Sequence, residues 1–417
     1  ITFTTAMLLL NIGRAVAQAG SLDLDFNGTG SVIAQIGNDA RGLAIQVQAD
    51  GRIVVAGKAA NTTGSYDLVL LRYMPDGSVD NSFGSLGRTL VPISAGSTGQ
   101  DNDAVGLAIQ PDGRIVVACD GSGDFAVIRC NTDGTLDPTF SGDGVATTSF
   151  SAGADRATSV VLQPDGRIVA AGFVGNANED FAVARYNSDG TLDNTFSFDG
   201  KVTTAVNPTY DDKANAVAIA GDGSIVVAGQ TLVLGGEMAV VVKYNTDGTL
   251  ASGFGTNGIA QFEMGTDNIA VAKSMVLLPD GRMVLGGTTS SSNIIHGAVT
   301  RLTADGSFDL SFAGTGTTVL GGATTYGDGI ALQVDGKVLL SGTANGDILL
   351  VRLANDGTND FSFGSGGTVI TDIAMSGLGD YGSAVTMQAD GKILVTGQTQ
   401  ISDIGFNYGI PVLRYLS

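Results

Sequence analysis

Carboxylates are the abundant reactive groups of this chain, while imidazole and thiol are scarce. Its 417 residues carry 38 Asp and three Glu (Glu179, Glu237 and Glu263), against one histidine, His296, and two cysteines, Cys119 and Cys130. A Ser-His-Asp triad or a multi-histidine metal site would have to centre on His296, in the segment SSSNIIHG, read here as a loop, or do without it. Paired carboxylates could serve glycoside chemistry, but among 38 Asp some acids must lie close by chance. The stretch NTDGTLD at residues 131–137 sets oxygen ligands at alternate positions around a glycine turn, as a calcium loop does. Its first ligand position becomes Met74, Asn187, Asn245, Thr303 and Ala354 in the other copies. Met and Ala offer no oxygen ligand, so these segments are read as plain turns, and no metal or other cofactor is expected. The cysteines fall at opposite ends of one hairpin, too far apart for a disulfide, and are read as buried free thiols.

The preference for Asp over Glu is itself informative. Glu favours helices, whereas the short Asp side chain bonds nearby backbone N–H groups in turns and caps. The net charge of −20 repels nucleic acid. Of 21 basic residues, 13 recur at fixed repeat positions, which leaves few for a phosphate-binding patch. Gly is very frequent at 62, Pro rare at 8 and Trp absent, yet 43% of residues are hydrophobic, as in a turn-rich folded protein.

These groups sit in a repeat. Asp-Gly pairs starting at Asp50, Asp112, Asp165, Asp222, Asp280, Asp335 and Asp390 are spaced 62, 53, 57, 58, 55 and 55 residues apart. Each separates two apolar runs, a hairpin signature, because the tight turn needs positive φ. The runs that follow (RIVVAG, RIVVAC, RIVAAG, SIVVAG, RMVLGG, KVLLSG, KILVTG) are apolar almost throughout, which predicts strands buried on both faces. A second motif then follows in each repeat. A strand ends in Arg72, Arg129, Arg185, Lys243, Arg301, Arg352 or Arg414; a second Asp-Gly turn comes next in six copies, and then F-x-x-x-G and a fourth strand. Residues 20–36 hold the second half of a repeat without a first half, and the C-terminus holds a first half without a second. Together they complete one unit. Four-stranded units of this period predict an all-β, seven-bladed β-propeller of antiparallel blades, closed by an N-terminal outer strand in the last blade.

One internal co-variation stands out. An Asp follows the second turn at Asp23, Asp80, Asp137, Asp193, Asp309 and Asp360, and the repeat that lacks it, at Ala251, alone carries Lys243 in place of Arg. A guanidinium presents a bidentate fork to a carboxylate and an ammonium does not. A structural Arg–Asp pair is therefore expected in each of those blades, Arg414 joining Asp23 across the closure.

The run LAIQPDGRIVVAG, followed by DFAVIRCNTDGTLDPTFSGDG, resembles the delta-60 repeat family of bacterial β-propeller-like proteins, over about residues 20–417. That resemblance implies a secreted or surface protein and brings no catalytic residues. Ala251 for Asp and Cys119 for Gly depart from the pattern. Residues 1–19, an apolar run ending in Ala17-Gln18-Ala19, are read as a signal peptide truncated upstream, leaving residues 20–417 as a single propeller domain. No other segment is apolar and long enough to span a membrane.

The loops that vary between repeats join the outer strand to the next inner strand and the second strand to the third, and both sets open on the side away from the Asp-Gly turns. Binding usually lives on such loops. They carry Asp103, Asp155, Asp211, Asp212, Asp267, Asp328 and Asp380, with Tyr210, Tyr326 and Tyr381. Two readings compete: acids that cap loop backbone, or an acidic, tyrosine-bearing ring around the channel that binds a ligand. The leading expectation is a secreted or cell-surface, non-enzymatic propeller that binds a protein or surface glycan. A carboxylate-based carbohydrate hydrolase or lyase, or a structural subunit of an extracellular assembly, are the alternatives.

Overall fold

The computed structural model describes residues 18–62, 64–93, 105–175, 178–265, 268–292, 294–322, 324–374, 378–402 and 407–417. Among them, 28 strands and no helix form seven four-stranded sheets, each a blade of neighbouring antiparallel strands. In blade 1 the inner strand Ala40–Val47 pairs with Ile53–Ala60, then Tyr66–Tyr73, then the outer strand Arg88–Val91. Blade 7 runs inward to outward as Asp380–Met387, Ile393–Ser402, Asn407–Tyr415 and, from the opposite end of the chain, Ser31–Ala34. Its closing register pairs Ser31 with Leu413 and Ala34 with Ile410. The protein is a seven-bladed β-propeller.

The β-branched second strands are buried on both faces, as in Ile53–Ala60, where only the last residue is partly exposed. Sheets stacked around a ring cover both sides of each strand, which is why these runs do not alternate in polarity. Cys119 and Cys130 are both buried and unbridged. Burial pushes the Cys130 thiol up to about 12, assisted by Asp133 and Asp137.

The repeated Gly of the second strand has a steric cause. Six inner strands carry a β-bulge at one shared position, for example between Gly42 and Ala44. A Cβ on the Gly facing it would lie 1.9 Å from a carbonyl oxygen, as Gly57 does to Arg41 O and Gly172 to Arg156 O. Only Gly fits so close an approach. Blade 2 has Cys119 at this place, and its inner strand is described from Gly106 only.

In blades 3, 4 and 5 the bulge also re-aims a side chain toward the next blade. Thr158 Oγ1 donates to Ala214 O at 2.8 Å, Asn215 Nδ2 to Ala272 O at 2.9 Å, and Lys273 Nζ to Asp328 Oδ1 at 2.6 Å. These three contacts form an arc of an inner hoop, from blade 3 to blade 6.

A second hoop runs along the lower face, where the Asp-Gly turns lie. Arg72 Nε meets Asp80 Oδ2 at 2.8 Å, and the same atoms meet at 2.7 Å in Arg129–Asp137, Arg185–Asp193, Arg301–Asp309 and Arg352–Asp360. In Arg414–Asp23 they stand 2.8 Å apart, an ion pair whose angle falls short of a hydrogen bond. The expected bidentate fork is not formed. Each guanidinium divides its donors instead. Arg129 Nη2 takes Thr139 Oγ1 at 3.0 Å, and Nη1 reaches Ser188 O in the following blade. Arg72, Arg185, Arg301 and Arg414 reach Thr132, Thr246, Asn355 and Pro75 in the same way. A second base, unforeseen as a partner, shares each carboxylate: Arg52 with Asp80 at 3.0 Å, and Lys392 with Asp23 at 2.9 Å. Burial opposes ionisation of Asp80, but hydrogen bonds from Ser82 and the Arg72 charge outweigh it and hold the carboxyl below its ordinary range.

The motif Phe completes this latch. Arg129 stacks on Phe140 with its guanidinium carbon 4.8 Å from the ring centroid, and Arg414 stacks on Phe26 at 4.7 Å. The ring then lies beneath the turn glycine of the next blade. A Cβ on Gly77 would come 2.8 Å from the Phe26 ring, and one on Gly134 would come 2.8 Å from Phe83. Those glycines are required twice over, since their φ values are +89° and +88°. In blade 4, Lys243 Nζ turns to Asp222 at 3.6 Å.

Candidate functional site

The upper face is built from the second-to-third-strand loops and the blade-to-blade loops. Of the acids expected there, Asp103 and Asp267 lie outside the described residues. Asp155, Asp212 and Asp380 occupy one repeat position at the head of their inner strands and are fully buried. Asp155 Oδ2 accepts from Phe150 N at 2.6 Å and Ser151 N at 3.0 Å, and its Oδ1 accepts from Ser151 Oγ at 2.9 Å. Asp212 Oδ2 holds Val206 N and Asn207 N at 2.6 and 2.9 Å. Asp380 holds Ile373 N, Ala374 N and Thr399 Oγ1 at 2.7, 3.0 and 2.5 Å. These three therefore correct the picture of an open acidic ring. They face inward and clamp the incoming loop, because those backbone N–H groups have no strand partner and need an acceptor.

His296 is likewise corrected. It lies in the strand Ile294–Leu302 and is 7% exposed, because the hairpin extends further than its Ser-rich sequence suggests. In the NTDGTLD turn, Asp133 Oδ1 accepts from Thr135 N and Oγ1 at 3.0 and 2.7 Å, an Asp turn cap.

Among the described residues, one acidic trio joins the buried Asp380 to a partly exposed and an exposed carboxylate. Carboxylate oxygens of Asp347, Asp372 and Asp380 lie within 4.8 Å of one another. Burial, with the Asp372 and Asp380 charges, raises the Asp347 pKa above the ordinary 3.8. The folded state therefore binds this proton more tightly than the unfolded chain, and stability is lost as pH rises from about 3.8 through the raised value. Asp347→Asn should raise the melting temperature at pH 7 by about 1 °C. Melting curves at pH 7 and pH 3 check this, since the gain should vanish in acid.

What faces upward is more basic and more aromatic than the sequence suggested. Eight basic residues fall outside the fixed repeat positions. Five of them, Arg41, Lys58, Arg156, Lys213 and Lys273, stand at or near the upper ends of the inner and second strands. Arg156 and Lys213 flank the Phe173 ring at 5.8 and 5.5 Å from its centroid. Lys213 pairs with Glu179 at 2.8 Å, while Asp211 Oδ1 accepts from Glu179 N at 3.0 Å. Lys273 lies 5.9 Å from the exposed Tyr326 ring and pairs with Asp328. Tyr210 is partly buried in its loop.

Tyrosines define the densest part. Tyr73, Tyr186, Tyr244 and Tyr415 are buried at the ends of third strands. Of the other five, Tyr66, Tyr381 and Tyr408 converge where blade 7 meets blade 1. Asp39 holds this group together. Its Oδ2 accepts from Tyr66 Oη and lies 3.5 Å from Arg41 Nη2, and its Oδ1 accepts from Gln398 Nε2 at 3.1 Å. Lys58 Nζ lies 4.5 Å from the Tyr66 ring centroid. Arg41 is the cross-strand neighbour of Lys58, and Tyr381 that of Gln398. Partial burial raises the Tyr408 phenol above its ordinary range; Tyr381 and Asp39 add to this and Arg41 opposes it. Tyr66 and Tyr408 share one repeat position, six residues before Arg72 and Arg414, which other blades fill with Gly, Glu or Ile. That column, compared across repeats, is the signal by which the sequence could have shown this cluster.

Comparison with known proteins agrees with this architecture. Residues 48–83, 110–140, 163–196, 220–254, 278–312 and 333–363 match the family described as "Domain of unknown function (DUF5122) beta-propeller". No curated protein matches. Among solved structures, Drosophila Semaphorin 2a is similar at 9% identity and a TM-score of 0.51, over 93% of this chain and 75% of that one. The polysaccharide lyase Uly1 is similar at 13% identity and a TM-score of 0.49, over 90% of each chain. A gluconolactonase from Xanthomonas campestris follows at 13% identity and 0.42, over 95% and 99%. At these identities the likeness is one of fold.

Proposed function

We propose, from the premise that the chain is a β-propeller repeat protein, that it is a secreted or cell-surface binding module without enzymatic activity. Its upper face engages a protein or a glycan. The observation that carries this reading is the division of labour between the two faces. On the lower face the repeated Arg, Asp, Phe and Gly are spent on the latch between blades. On the upper face the equivalent positions differ from blade to blade: Arg41, Arg156, Lys213, Val271, Tyr326 and Tyr381 occupy one column, supported by a mostly buried column of Lys58, Asp120, Phe173, Gln230, Thr288, Thr343 and Gln398. Varied side chains on a rigid scaffold suit recognition. The buried acids Asp155, Asp212 and Asp380 already accept backbone N–H bonds, which disfavours them as proton-transfer groups. The apolar run within residues 1–19 supports export.

A screen of the protein against glycan and extracellular-protein arrays tests the reading. Ligands found should be lost in Tyr326→Ala or Tyr381→Ala and kept in Phe361→Ala, whose side chain is 81% exposed on the lower face. The reverse pattern, or turnover of a bound glycan, would reject it.

A further inference from the structure

We propose that a leader peptidase cuts this chain between Ala17 and Gln18, and that the two residues thereby kept, Gln18 and Ala19, complete the missing turn of blade 7. This rests on the export reading and goes beyond it by placing the processing bond. Two overlapping frames carry small residues where such an enzyme reads them. Ala15-Val16-Ala17 sets the cut before Gln18, and Ala17-Gln18-Ala19 sets it before Gly20. The sequence does not choose between them, and the fold does.

Six repeats contain a second Asp-Gly turn, but blade 7, divided between the chain ends, contains none. The structure rebuilds it from both ends. In blade 2, Asn131 N donates to Thr135 O at 2.7 Å and Gly134 N to Asn131 O at 3.0 Å. In blade 7, Leu416 N donates to Ser21 O at 2.9 Å and Gly20 N to Leu416 O at 2.8 Å. The bridge between Cys130 and Leu136 recurs between Tyr415 and Leu22, and Gly20 has a φ of +90° where Gly134 has +88°. Ala19 therefore holds the place of the turn Asp. At six boundaries the residue after the motif Phe donates to the carbonyl of that Asp in the next blade, as Ser141 N does to Asp189 O at 2.8 Å. At the seventh, Gly364 N donates to Ala19 O at 2.9 Å. Gln18 secures the turn. Its carbonyl accepts from Ser21 N at 3.0 Å and Ser21 Oγ at 2.6 Å, and its Nε2 donates to Gly364 O at 2.9 Å.

A cut before Gly20 would discard the Ala19 carbonyl and leave the Gly364 N–H without the acceptor that every other boundary has. It would also set a new ammonium at a buried residue packed against Val369 and Gly364, where a charge is costly. A cut before Gln18 keeps all seven contacts and sets the ammonium at an exposed residue. Both frames satisfy the enzyme, but only one yields a chain that closes every boundary.

The protein purified from its native cells and medium would be digested with trypsin and its N-terminal peptide identified by mass spectrometry. Arg14 and Arg41 bound this region with no basic residue between them, so the three products are distinct. Residues 18–41 are expected, intact or lighter by one ammonia, because a terminal Gln amine attacks its own side-chain carbonyl and expels ammonia. Residues 20–41 would overturn the proposal and leave the export reading standing. Residues 15–41 would overturn the proposal together with its premise of a cleaved leader. A second measurement compares chains spanning residues 18–417 and 20–417. The longer chain should melt roughly 1–3 °C higher. Equal melting temperatures would mean that Gln18 and Ala19 do not complete the turn, and would overturn the proposal whichever peptide is found.

Discussion

Asp23→Ala should lower the melting temperature by roughly 3–6 °C, whereas Ala251→Asp should raise it by about 1 °C or less. Asp23 lies where the two ends of the chain meet and hold the ring shut. Its Oδ2 stands 2.8 Å from Arg414 Nε and 2.9 Å from Lys392 Nζ, its Oδ1 accepts from Asp25 N, and its backbone N–H donates to Arg414 O. The Arg414 side chain is 6% exposed. Removing one partner of a buried ion pair leaves the other charge uncompensated, which costs about 3–5 kcal/mol. For a chain this long the unfolding entropy is about 0.9 kcal/mol/K, which sets the size of the shift. Ala251→Asp gains less because Lys243 cannot divide donors among a carboxylate, a hydroxyl and the next blade as Arg129 does. Ala251→Asp combined with Lys243→Arg should gain more than either alone.

The pH dependence of this effect follows from the lowered pKa of Asp23. Burial pulls its pKa upward, but the ion-pair contact of Lys392, the hydrogen bond from Asp25 N and the Arg414 charge outweigh it. A depressed carboxyl contributes stability that is present above the unfolded value of 3.8 and is lost as pH falls through the folded value. The deficit of Asp23→Ala should therefore be full at pH 6 and shrink below about pH 4. Calorimetry at a series of pH values checks this. A deficit independent of pH, or one no larger than the gain from Ala251→Asp, would remove the ion pair from the account of closure.

Phe140→Ala should cost about 3–5 kcal/mol, with a melting shift of similar size. The ring is 0% exposed, lies against Arg129 and sits beneath Gly190, whose added Cβ would come 3.1 Å from it. Its loss opens a cavity between blades 2 and 3 and uncovers the guanidinium that reaches Ser188 O. Blade-to-blade contacts stabilise a ring locally, so limited proteolysis should cut first near residues 131–144 and 187–200. Phe198→Ala is the matched control, because Phe198 is 96% exposed and its removal should change little. Equal melting temperatures for the two variants would mean that the motif Phe is not a packing element.

Blade number, strand order and closure are all legible in the amino-acid sequence. Asp-Gly turns, the two apolar runs around them and the F-x-x-x-G spacing are local signals, and local signals survive without knowledge of neighbours. The split repeat at residues 20–36 and the C-terminus located the seam, and Ala251 with Lys243 pointed to the contact between Arg and Asp. The spread of five guanidinia over two blades was not legible, since Arg129 meets Ser188 O only after blades 2 and 3 stack.

The sequence by itself determined the scaffold of this protein, because turns and strand periodicity are written within a few residues of one another. Tertiary structure alone decided which polar groups are available. Asp155, Asp212 and Asp380 stand in variable loops yet turn inward, because unpaired loop N–H groups compete with water for their oxygens. Asp39 and Gln398 are 359 residues apart and meet only when the ring closes. The candidate site is thus a product of closure, where long-range contacts choose the side chains that solvent and ligand can reach.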